Sequence, residues 1–214
     1  MRIVIFANGD FEAPPELDAL LDSAEALIAA DGGARHLAKL KRRPDVVIGD
    51  LDSLSKQKVT ALKKEGAHVL DYPEDKDQTD LELALQHAVK VGAEEIFVLG
   101  ALGGRWDHSL ANLLLAAHPA LAGIPLVFLH GAEQAFLIRD AVRLDAPVGT
   151  RVSLIPVGGD AKGVSTAGLE FPLNNETLAF GATRGVSNVI NQDGAEISLR
   201  KGLLLCLLSP PEMN

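Results

Sequence analysis

The 214-residue chain contains one cysteine, one tryptophan and one tyrosine, and it has fewer basic than acidic side chains. With Cys206 alone, no disulfide can form within the chain, and its apolar neighbours in 202–208 predict a packed side chain rather than a nucleophile. No stretch approaches the roughly 18 apolar residues of a membrane span, and the apolar run at the start is too short for a secretory signal. We therefore expect a globular protein of the cytoplasm without a membrane partner.

Basic residues are outnumbered, with 20 Lys and Arg against 29 Asp and Glu, which gives a formal net charge of -9. Binding to a phosphate backbone needs a surplus of positive charge on one face, so we expect no nucleic-acid partner. The sequence also lacks a Gly-x-x-x-x-Gly-Lys-Ser/Thr loop, a Gly-x-Gly-x-x-Gly fingerprint, a Gly-x-Ser-x-Gly elbow and a zinc-spaced Cys/His set. The common nucleotide-binding devices are thereby excluded, and an anionic ligand must meet a local positive site.

The first part of the chain alternates short β-rich runs with segments of helical period, which is typical of a parallel sheet with covering helices. The predicted strands are 2–7, 26–30, 46–48, 68–70, 95–99 and 126–129. The predicted helices are 15–22, 34–41, 56–65, 80–91 and 107–118. We therefore predict an α/β domain over residues 1–131, Rossmann-like, with a mostly parallel sheet and helices on both faces.

After Gly131 the chain changes to short runs rich in Val, Leu, Ile and Thr, broken about every eight to twelve residues by Gly, Pro and Asn. The predicted strands are 134–138, 151–156, 177–180, 187–190, 195–199 and 203–208. This pattern predicts an all-β sandwich or barrel over residues 132–214.

The helix at 80–91 has the clearest signals. Apolar residues recur at three- and four-residue steps from Leu81 to Val89, which predicts one buried stripe. Thr79 followed by Glu82 predicts a capping box, in which each side chain accepts a hydrogen bond from a free backbone N–H of the first turn.

The segment Gly49-Asp50-Leu51-Asp52-Ser53 follows a predicted strand and carries two acids. In an extended segment, Asp50 and Asp52 would project on one side with Leu51 turned away, a geometry that suits one cation. The alternative is a helix entry with Ser53 as the cap and one acid in solvent, which explains one carboxylate and not both.

A second cluster, Lys76-Asp77-Gln78-Thr79-Asp80, follows the next predicted strand. Carboxylates a few ångströms apart repel one another, so a divalent cation is their natural partner. Magnesium prefers carboxylates together with phosphate oxygens and water. We predict a metal–nucleotide site at the strand ends, with Lys76 on a phosphate and Asp80 facing the metal.

Two glycine-containing loops, Asn8-Gly9-Asp10 and Asp31-Gly32-Gly33-Ala34, also follow predicted strands. Glycine lets backbone N–H groups approach a ligand, and a helix N-terminus favours an anion. The alternative is a tight strand-to-helix turn capped by Asp31. Convergence of several such loops on one sheet edge favours a binding site.

The loop Gly103-Gly104-Arg105-Trp106-Asp107-His108 carries an Arg beside an Asp. Its guanidinium could hold a phosphate with two parallel hydrogen bonds. The alternative is a plain loop in which Asp107 caps the next helix. No chemistry is assigned to His108, because a lone His near a helix start is more often structural.

The motifs at 31–34, 49–53, 76–80 and 103–108, together with Arg184-Gly185-Val186-Ser187-Asn188, resemble the thiamine pyrophosphokinase family in their order and spacing over nearly the whole chain. The resemblance implies an enzyme that transfers pyrophosphate from Mg-ATP to the hydroxyethyl oxygen of thiamine, giving thiamine diphosphate and AMP. It also implies a homodimer with its sites at the subunit interface. The domain 1–131 would then bind ATP and Mg²⁺, and the domain 132–214 would bind thiamine and dimerise.

The resemblance also implies roles for individual residues. The implied metal ligands are Asp50, Asp52 and Asp80. The implied catalytic residues are these three with Lys76, Arg105 and Asp107. The implied nucleotide-binding residues are Asn8, Asp31, Gly32, Gly33 and Thr79, and the implied thiamine-binding residues are Ser187 and Asn188. A carboxylate, either Asp52 or Asp80, could orient or deprotonate the alcohol.

The chain departs from this family at one position. Some members place an aromatic residue four positions after the Ser of the Ser-Asn motif, where it can stack on the flat, cationic vitamin, and this chain has Asn191 there. This departure leaves another alcohol acceptor open as an alternative. A second alternative is a catalytically idle nucleotide- or metal-binding regulator that keeps the fold.

Overall fold

A computed structural model describes residues 1–211 of the chain. The last three residues of the predicted second domain, 212–214, lie outside the described residues. The chain divides into two compact units, unit 1 over residues 1–131 and unit 2 over residues 132–214. Across the described residues, every helix is too short or too polar to cross a bilayer.

Six strands of unit 1 pair in parallel in the order β6-β5-β1-β2-β3-β4. The strands are β1 Arg2–Phe6, β2 Ala26–Ala30, β3 Val46–Gly49, β4 His68–Asp71, β5 Glu95–Leu99 and β6 Leu126–His130. The central strand β1 is buried on both faces, since Ile3, Val4, Ile5 and Phe6 have no exposed surface. A run of consecutive apolar residues is what a parallel strand covered on both sides requires.

Five α-helices connect these strands, and all five predicted helices are present. They are α1 Leu17–Ser23, α2 Ala34–Lys39, α3 Lys56–Lys64, α4 Asp80–Lys90 and α5 Trp106–Leu114. The helix predicted over 107–118 ends earlier than expected. Helix α5 stops at Leu114, and two 3₁₀ turns, Leu115–Ala117 and Pro119–Leu121, follow. Pro119 explains why the helical turns end at Ala117, since the residue before a proline avoids the helical region, and His118 is extended.

Helix α4 shows how the sequence places a helix on this sheet. Leu81, Leu85 and Ala88 are buried as predicted, and α4 packs against β1, β2 and β3. One half of the predicted capping box is present, since Thr79 Oγ1 accepts from the Glu82 N–H at 3.3 Å. The Glu82 carboxylate accepts instead from Gln86 Nε2 at 3.1 Å.

The strand order reverses direction at β1. From β1 the chain adds β2, β3 and β4 on one side, and then crosses to add β5 and β6 on the other. The connections that follow β1 and β5 therefore lead to opposite sides of the sheet, and the carboxyl edge beside such a reversal is the usual ligand position in open parallel sheets.

Unit 2 contains two antiparallel sheets, in the orders β12-β9-β14-β7 and β11-β10-β13-β8. The strands are β7 Glu133–Ile138, β8 Ala141–Arg143, β9 Arg151–Pro156, β10 Ala161–Ala167, β11 Glu176–Leu178, β12 Asn188–Val189, β13 Glu196–Ser198 and β14 Leu204–Ser209. Buried side chains from both sheets share one hydrophobic core, which includes Leu154, Val164, Ile197 and Cys206. Burial raises the pKa of the Cys206 thiol to about 12, as expected of a packed side chain rather than a nucleophile.

The sequence prediction missed strands β8 and β10. Strand β8 has only three residues. In β10, Gly163 has a φ of +70° and the pairing register with β11 shifts between Lys162 and Val164, so a bulge interrupts the alternation on which a strand prediction depends.

Candidate active site

A cavity of about 420 Å³ lies at the carboxyl edge of the parallel sheet. Its lining includes the loops after β1, β2 and β5, and the start of α4. The residues proposed from the sequence that line it are Asn8, Asp31, Lys76, Thr79, Asp80 and Arg105. His108, to which no role was given, lines it as well.

The loops after β1 and β5 are joined by backbone hydrogen bonds. The Gly9 N–H donates to Gly100 O at 2.8 Å, and the Asp10 N–H donates to Leu102 O at 2.6 Å. A side chain at Gly9 would place its Cβ 2.2 Å from Leu102 O. Glycine is therefore required for these two loops to meet and form one wall of the cavity.

The segment Asp31–Gly33 forms a short 3₁₀ turn that leads directly into α2. A Cβ at Gly33 would lie 1.9 Å from Phe6 O, so only glycine allows this turn to pack on β1. Asp31 has a φ of +43° and only 4% of its surface exposed. A non-glycine residue in this conformation carries strain, which is frequent at functional sites.

The segment after β3 is a turn and is not extended, which corrects the geometry assumed from the sequence. Leu51 has a φ of +61°, and its side chain packs on the core of unit 1. The Asp52 N–H donates to Asp50 Oδ1 at 3.2 Å. The two carboxylates are still close to each other. The turn brings them together, and the alternation of side chains along an extended strand does not.

Asp31, Asp50 and Asp52 form a group that could hold a metal ion, since each offers an oxygen within 4.8 Å of the others. Asp31 Oδ2 accepts a long hydrogen bond of 3.4 Å from Asn8 Nδ2. Asp31 Oδ1 is buried and has no hydrogen-bond partner among the described residues. A buried carboxylate oxygen without a donor is costly, and a cation is the partner that it lacks.

Asp80 lies beside this group. A Cβ at Gly49, whose φ is +151°, would lie 3.0 Å from Asp31 Cβ and 3.1 Å from Asp80 Cγ, so glycine lets the two acids approach. Asp80 is not in the group of three, and its Oδ1 forms an ion pair with Lys76 Nζ at 3.0 Å. Its role as a metal ligand stays a prediction.

Lys76 joins the two acidic clusters, because its Nζ also lies 3.2 Å from Asp50 Oδ2. Burial lowers the pKa of Lys76, but its bonds to Asp80 and Asp50 outweigh this and raise it. Burial raises the pKa of Asp80 more than Lys76 lowers it. Burial also acts to raise the pKa of Asp50, but hydrogen bonds from Asp52 and Lys76 bring it below its usual value. Lys76 is thus a charged ammonium group.

Arg105 and Asp107 bind each other. Arg105 donates from Nη2 to Asp107 Oδ2 at 2.6 Å and from Nε to Asp107 Oδ1 at 3.3 Å, in an exposed pair. The alternative that Asp107 caps the helix is wrong, because the N-cap position of α5 is Arg105 and Asp107 lies in the first turn. The pair uses the Nε and Nη2 groups of Arg105, so a phosphate held through these two nitrogens would displace Asp107.

Ser187 and Asn188 lie in unit 2, at the start of β12. Ser187 has a φ of +61°, and its N–H donates to Ser153 Oγ at 3.1 Å. Asn188 makes several hydrogen bonds with its side chain, all of them to backbone groups of this unit.

Two polar residues at the site were missed by the sequence reasoning. Arg35, in α2, donates to Asn8 Oδ1, and Ser53 Oγ accepts from Asn8 Nδ2 at 3.3 Å. Asn8 therefore connects Asp31, Arg35 and Ser53. Arg35 directly follows the Asp-Gly-Gly-Ala motif, and a basic residue there was the signal that could have identified it.

Two family profiles match the chain. Residues 17–128 match "Thiamin pyrophosphokinase, catalytic domain", which covers more than half of the chain. Residues 141–204 match "Thiamin pyrophosphokinase, vitamin B1 binding domain".

The chain is also similar to individual proteins of that name. Thiamine pyrophosphokinase from Bacillus subtilis is 28% identical over 209 residues, which cover 97% of this chain and 98% of that protein. Thiamine pyrophosphokinase 1 from Oryza sativa subsp. japonica is 28% identical over 211 residues, covering 86% and 79%. The crystal structure of the Bacillus subtilis protein superimposes with a TM-score of 0.88 at 27% identity, covering 98% of this chain and 99% of that one. A crystal structure from Geobacillus thermodenitrificans gives a TM-score of 0.83 at 29% identity, covering 99% and 98%.

Proposed function

The chain belongs to the thiamin pyrophosphokinase family, and from this we propose that it transfers pyrophosphate from ATP to the hydroxyethyl oxygen of thiamine, giving thiamine diphosphate and AMP. In this reaction a bond forms between the thiamine oxygen and the β-phosphorus of ATP. The bond from that phosphorus to the oxygen bridging to the α-phosphorus breaks, and this oxygen leaves on AMP. The alcohol proton is released.

The observation that carries the proposal is the group of three carboxylates beside a partly buried ammonium group. Asp31, Asp50 and Asp52 approach one another at the strand ends, and Lys76 lies within 3.2 Å of Asp50. This arrangement has negative groups for a cation and a positive group for a phosphate in one place. A site that only bound a neutral molecule would have no use for both.

The donor set fits a magnesium ion, because it consists of carboxylates and includes Asp31 Oδ1, which is buried without a partner. Asp31, Asp50 and Asp52 would hold the ion, with Asp80 as a further ligand from the sequence prediction. When bound, magnesium neutralises charge on phosphate oxygens and helps to orient them.

The chain's own residues would do the rest by positioning and by electrostatic stabilisation. Lys76 would move from its two carboxylate partners onto the transferred phosphates. Arg105 would exchange Asp107 for a phosphate oxygen. Because that pair is exposed, breaking it should cost little free energy. The free N–H groups at the start of α4, beside Thr79, favour an anion in the cavity. The alcohol proton would go to Asp52 or to Asp80, and the sequence does not choose between these two carboxylates.

We propose that unit 1 binds ATP and the metal and that unit 2 binds thiamine through the region of Ser187 and Asn188. Support comes from the two profiles, because the catalytic profile matches within unit 1 and the vitamin B1 binding profile matches within unit 2. The finer fold descriptions, Rossmann-like for unit 1 and a sandwich or barrel for unit 2, stay predictions, as does the cytoplasmic location.

We also propose a homodimer. Helix α5 supports this, because Trp106, Leu110 and Leu114 follow one another at four-residue steps and are all exposed, Trp106 by 86%. Such a stripe on a surface helix is typical of an interaction site, and the second copy is the partner that the family resemblance implies. Light scattering on Leu110→Glu tests it, and a mass equal to that of the wild type would contradict this interface.

Incubation of the purified protein with ATP, magnesium and thiamine, with each component omitted in turn, tests the reaction. We expect thiamine diphosphate and AMP in equal amounts. ADP with thiamine monophosphate would mean ordinary kinase chemistry. ATP binding without product would favour another alcohol acceptor or a regulator, and a panel of other alcohols would separate these two.

A further inference from the structure

Arg35 differs from the other arginines of unit 1 in its partner. Unit 1 contains five arginines, and four of them form ion pairs with carboxylates, namely Arg2, Arg42, Arg43 and Arg105. Arg35 instead donates from Nη2 to the side-chain oxygen of Asn8, which is a neutral amide. A guanidinium stays protonated in proteins. Within the residues that the structure describes, Arg35 is therefore a permanent positive charge without a carboxylate partner.

A carboxylate is nevertheless close, and the amide of Asn8 lies between it and Arg35. The Asn8 Nδ2 donates to Asp31 Oδ2 at 3.4 Å, and the Asn8 Oδ1 accepts from Arg35. A Cβ at Gly32 would lie 2.1 Å from Asn8 Oδ1, so glycine at this position leaves the room that the amide needs. Asp31 belongs to the group that could hold a metal ion. Asn8 thus separates the guanidinium from an acid that would otherwise be a natural ion-pair partner.

Most of the hydrogen-bonding capacity of Arg35 is unused. A guanidinium has five N–H donors, and the bond to Asn8 takes one of them. Phosphate oxygens accept two parallel N–H groups from an arginine. Arg35 is exposed, and its partner Asn8 lines the cavity at the carboxyl edge of the sheet. A phosphate on this side of the cavity can therefore bind Arg35 without breaking the contact with Asn8.

The charges of the acidic group explain why such an arginine is useful. The three carboxylates of Asp31, Asp50 and Asp52 carry more negative charge than one magnesium ion neutralises. Phosphates bound to the same ion must then be held by positive side chains. Lys76 and Arg105 line the cavity, but each of them already pairs with a carboxylate. An arginine without an ion pair gives up no such contact when it binds phosphate.

We propose that Arg35 binds the phosphate chain of ATP beside the group formed by Asp31, Asp50 and Asp52. The inference rests on the proposed function, because it takes ATP with magnesium as the ligand, and it adds a residue outside the motifs of the sequence prediction. Asn8 is then a positioning residue, which directs the guanidinium and keeps it from pairing with Asp31.

Calorimetric titration with Mg-ATP, without thiamine, tests the contact. Arg35→Gln removes the charge and keeps an amide N–H that can still donate to Asn8. Its Kd for Mg-ATP should rise roughly 10- to 100-fold, as expected for the loss of hydrogen bonds between charged groups. Arg35→Lys should bind Mg-ATP more tightly than Arg35→Gln, because it keeps the charge although not the fork of parallel donors.

Lys39→Gln is the matched control. It removes the same charge from an exposed position four residues further along α2. Its Kd for Mg-ATP should stay within about twofold of the wild-type value, because exposed charges that do not contact the ligand are screened by salt. A loss of affinity as large as that of Arg35→Gln would show a general effect of charge on α2 and would overturn the proposal.

The number of phosphates separates a direct contact from a structural role. Arg35→Gln should weaken the binding of ATP and ADP and leave that of adenosine unchanged, because adenosine has no phosphate. Its Mg-ATP affinity should also fall less steeply with added salt than that of the wild type. If Arg35 served only to hold Asn8, the Gln and Lys variants would bind Mg-ATP equally well, or adenosine binding would weaken together with ATP binding. Either result would overturn the proposal.

Titration without thiamine also keeps this inference apart from the proposed reaction. Weaker Mg-ATP binding by Arg35→Gln, with no thiamine diphosphate formed by the wild type, would keep the role of Arg35 and overturn the reaction. Normal turnover of the wild type, with equal Mg-ATP affinity in the wild type and Arg35→Gln, would keep the reaction and overturn the role of Arg35. A wild type that does not bind Mg-ATP would overturn both.

Discussion

Replacing Asp31 by Asn should stabilise the metal-free protein and abolish most of its activity. Asp31 is 4% exposed, and its Oδ1 has no hydrogen-bond partner among the described residues. Asn keeps the shape and retains an oxygen for the bond from Asn8. It also tolerates the φ of +43° at this position, because Asn enters the left-handed region more readily than most residues.

The magnitude follows from the burial of that charge. Leaving a buried acceptor unsatisfied costs about 1–3 kcal/mol. Asn replaces one oxygen by an N–H donor close to the Asp50 and Asp52 carboxylates, so the free energy of unfolding should rise by roughly that amount without metal. With magnesium at 100 times its Kd, the wild type should gain about 2.7 kcal/mol that the variant lacks, which offsets most or all of the variant's advantage. Turnover should fall by roughly 100- to 1,000-fold, as for the loss of one group that stabilises the transition-state charge.

Urea denaturation followed by circular dichroism, once with a chelator and once with saturating magnesium, measures both effects. Asp18→Asn is the matched control, because the Asp18 side chain is 92% exposed and lies 3.8 Å from its only cation, Arg42, among the described residues. Its stability should change by less than about 0.5 kcal/mol in either condition.

Two results would refute this reasoning. If Asp31→Asn is less stable than the wild type in chelator, the carboxylate is structural and not an unpaired charge. If magnesium stabilises the variant as much as the wild type, Asp31 does not hold the ion.

Three further predictions concern the fold around the site. Gly33→Ala should destabilise by about 1–3 kcal/mol or more, because its Cβ would lie 1.9 Å from a carbonyl oxygen of β1; Gly123→Ala, whose Cβ meets nothing within 4 Å, should be neutral or stabilising in the same urea titration. Thr79→Ala should cost about 0.5–2 kcal/mol through loss of the N-cap, and Thr79→Ser should restore it; equal stability of both variants would contradict the cap. Burial lowers the pKa of both His36 and His87, so the unfolded chain binds their protons more readily. The stability that depends on these two neutral side chains should therefore be fully present above pH 6.5 and decline as the pH falls below it. In His36→Gln, the free energy of unfolding should depend less steeply on pH.

The order of elements in unit 1 could be predicted from the sequence because each strand is a short apolar run and each helix has its own period. Thr79 marked the start of α4 correctly, since N-cap chemistry is local. The prediction was wrong where the geometry of the folded chain determines the end of a helix or the presence of a strand. Helix α5 tightened into 3₁₀ turns after Leu114, and β10 was missed because Gly163 bulges against its partner strand.

The candidate site was predicted less completely. Asp50 and Asp52 were named as a pair from their spacing, yet they meet through a turn at Leu51, which has a positive φ. Asp31 was placed with the nucleotide, and the structure brings it into the acidic group. Arg35 was missed altogether, because its contact with Asn8 joins residues from two different loops.

The sequence by itself determined which residue types are available and where strands and helices begin, because those depend on neighbours along the chain. It also carried the family resemblance, since motif order is a property of the sequence alone. Only the tertiary structure decided which carboxylates approach one another and where Asn188 directs its hydrogen bonds. Those arrangements depend on strand order, on loop conformations with positive φ and on burial, and none of these is encoded in the spacing of residues along the chain.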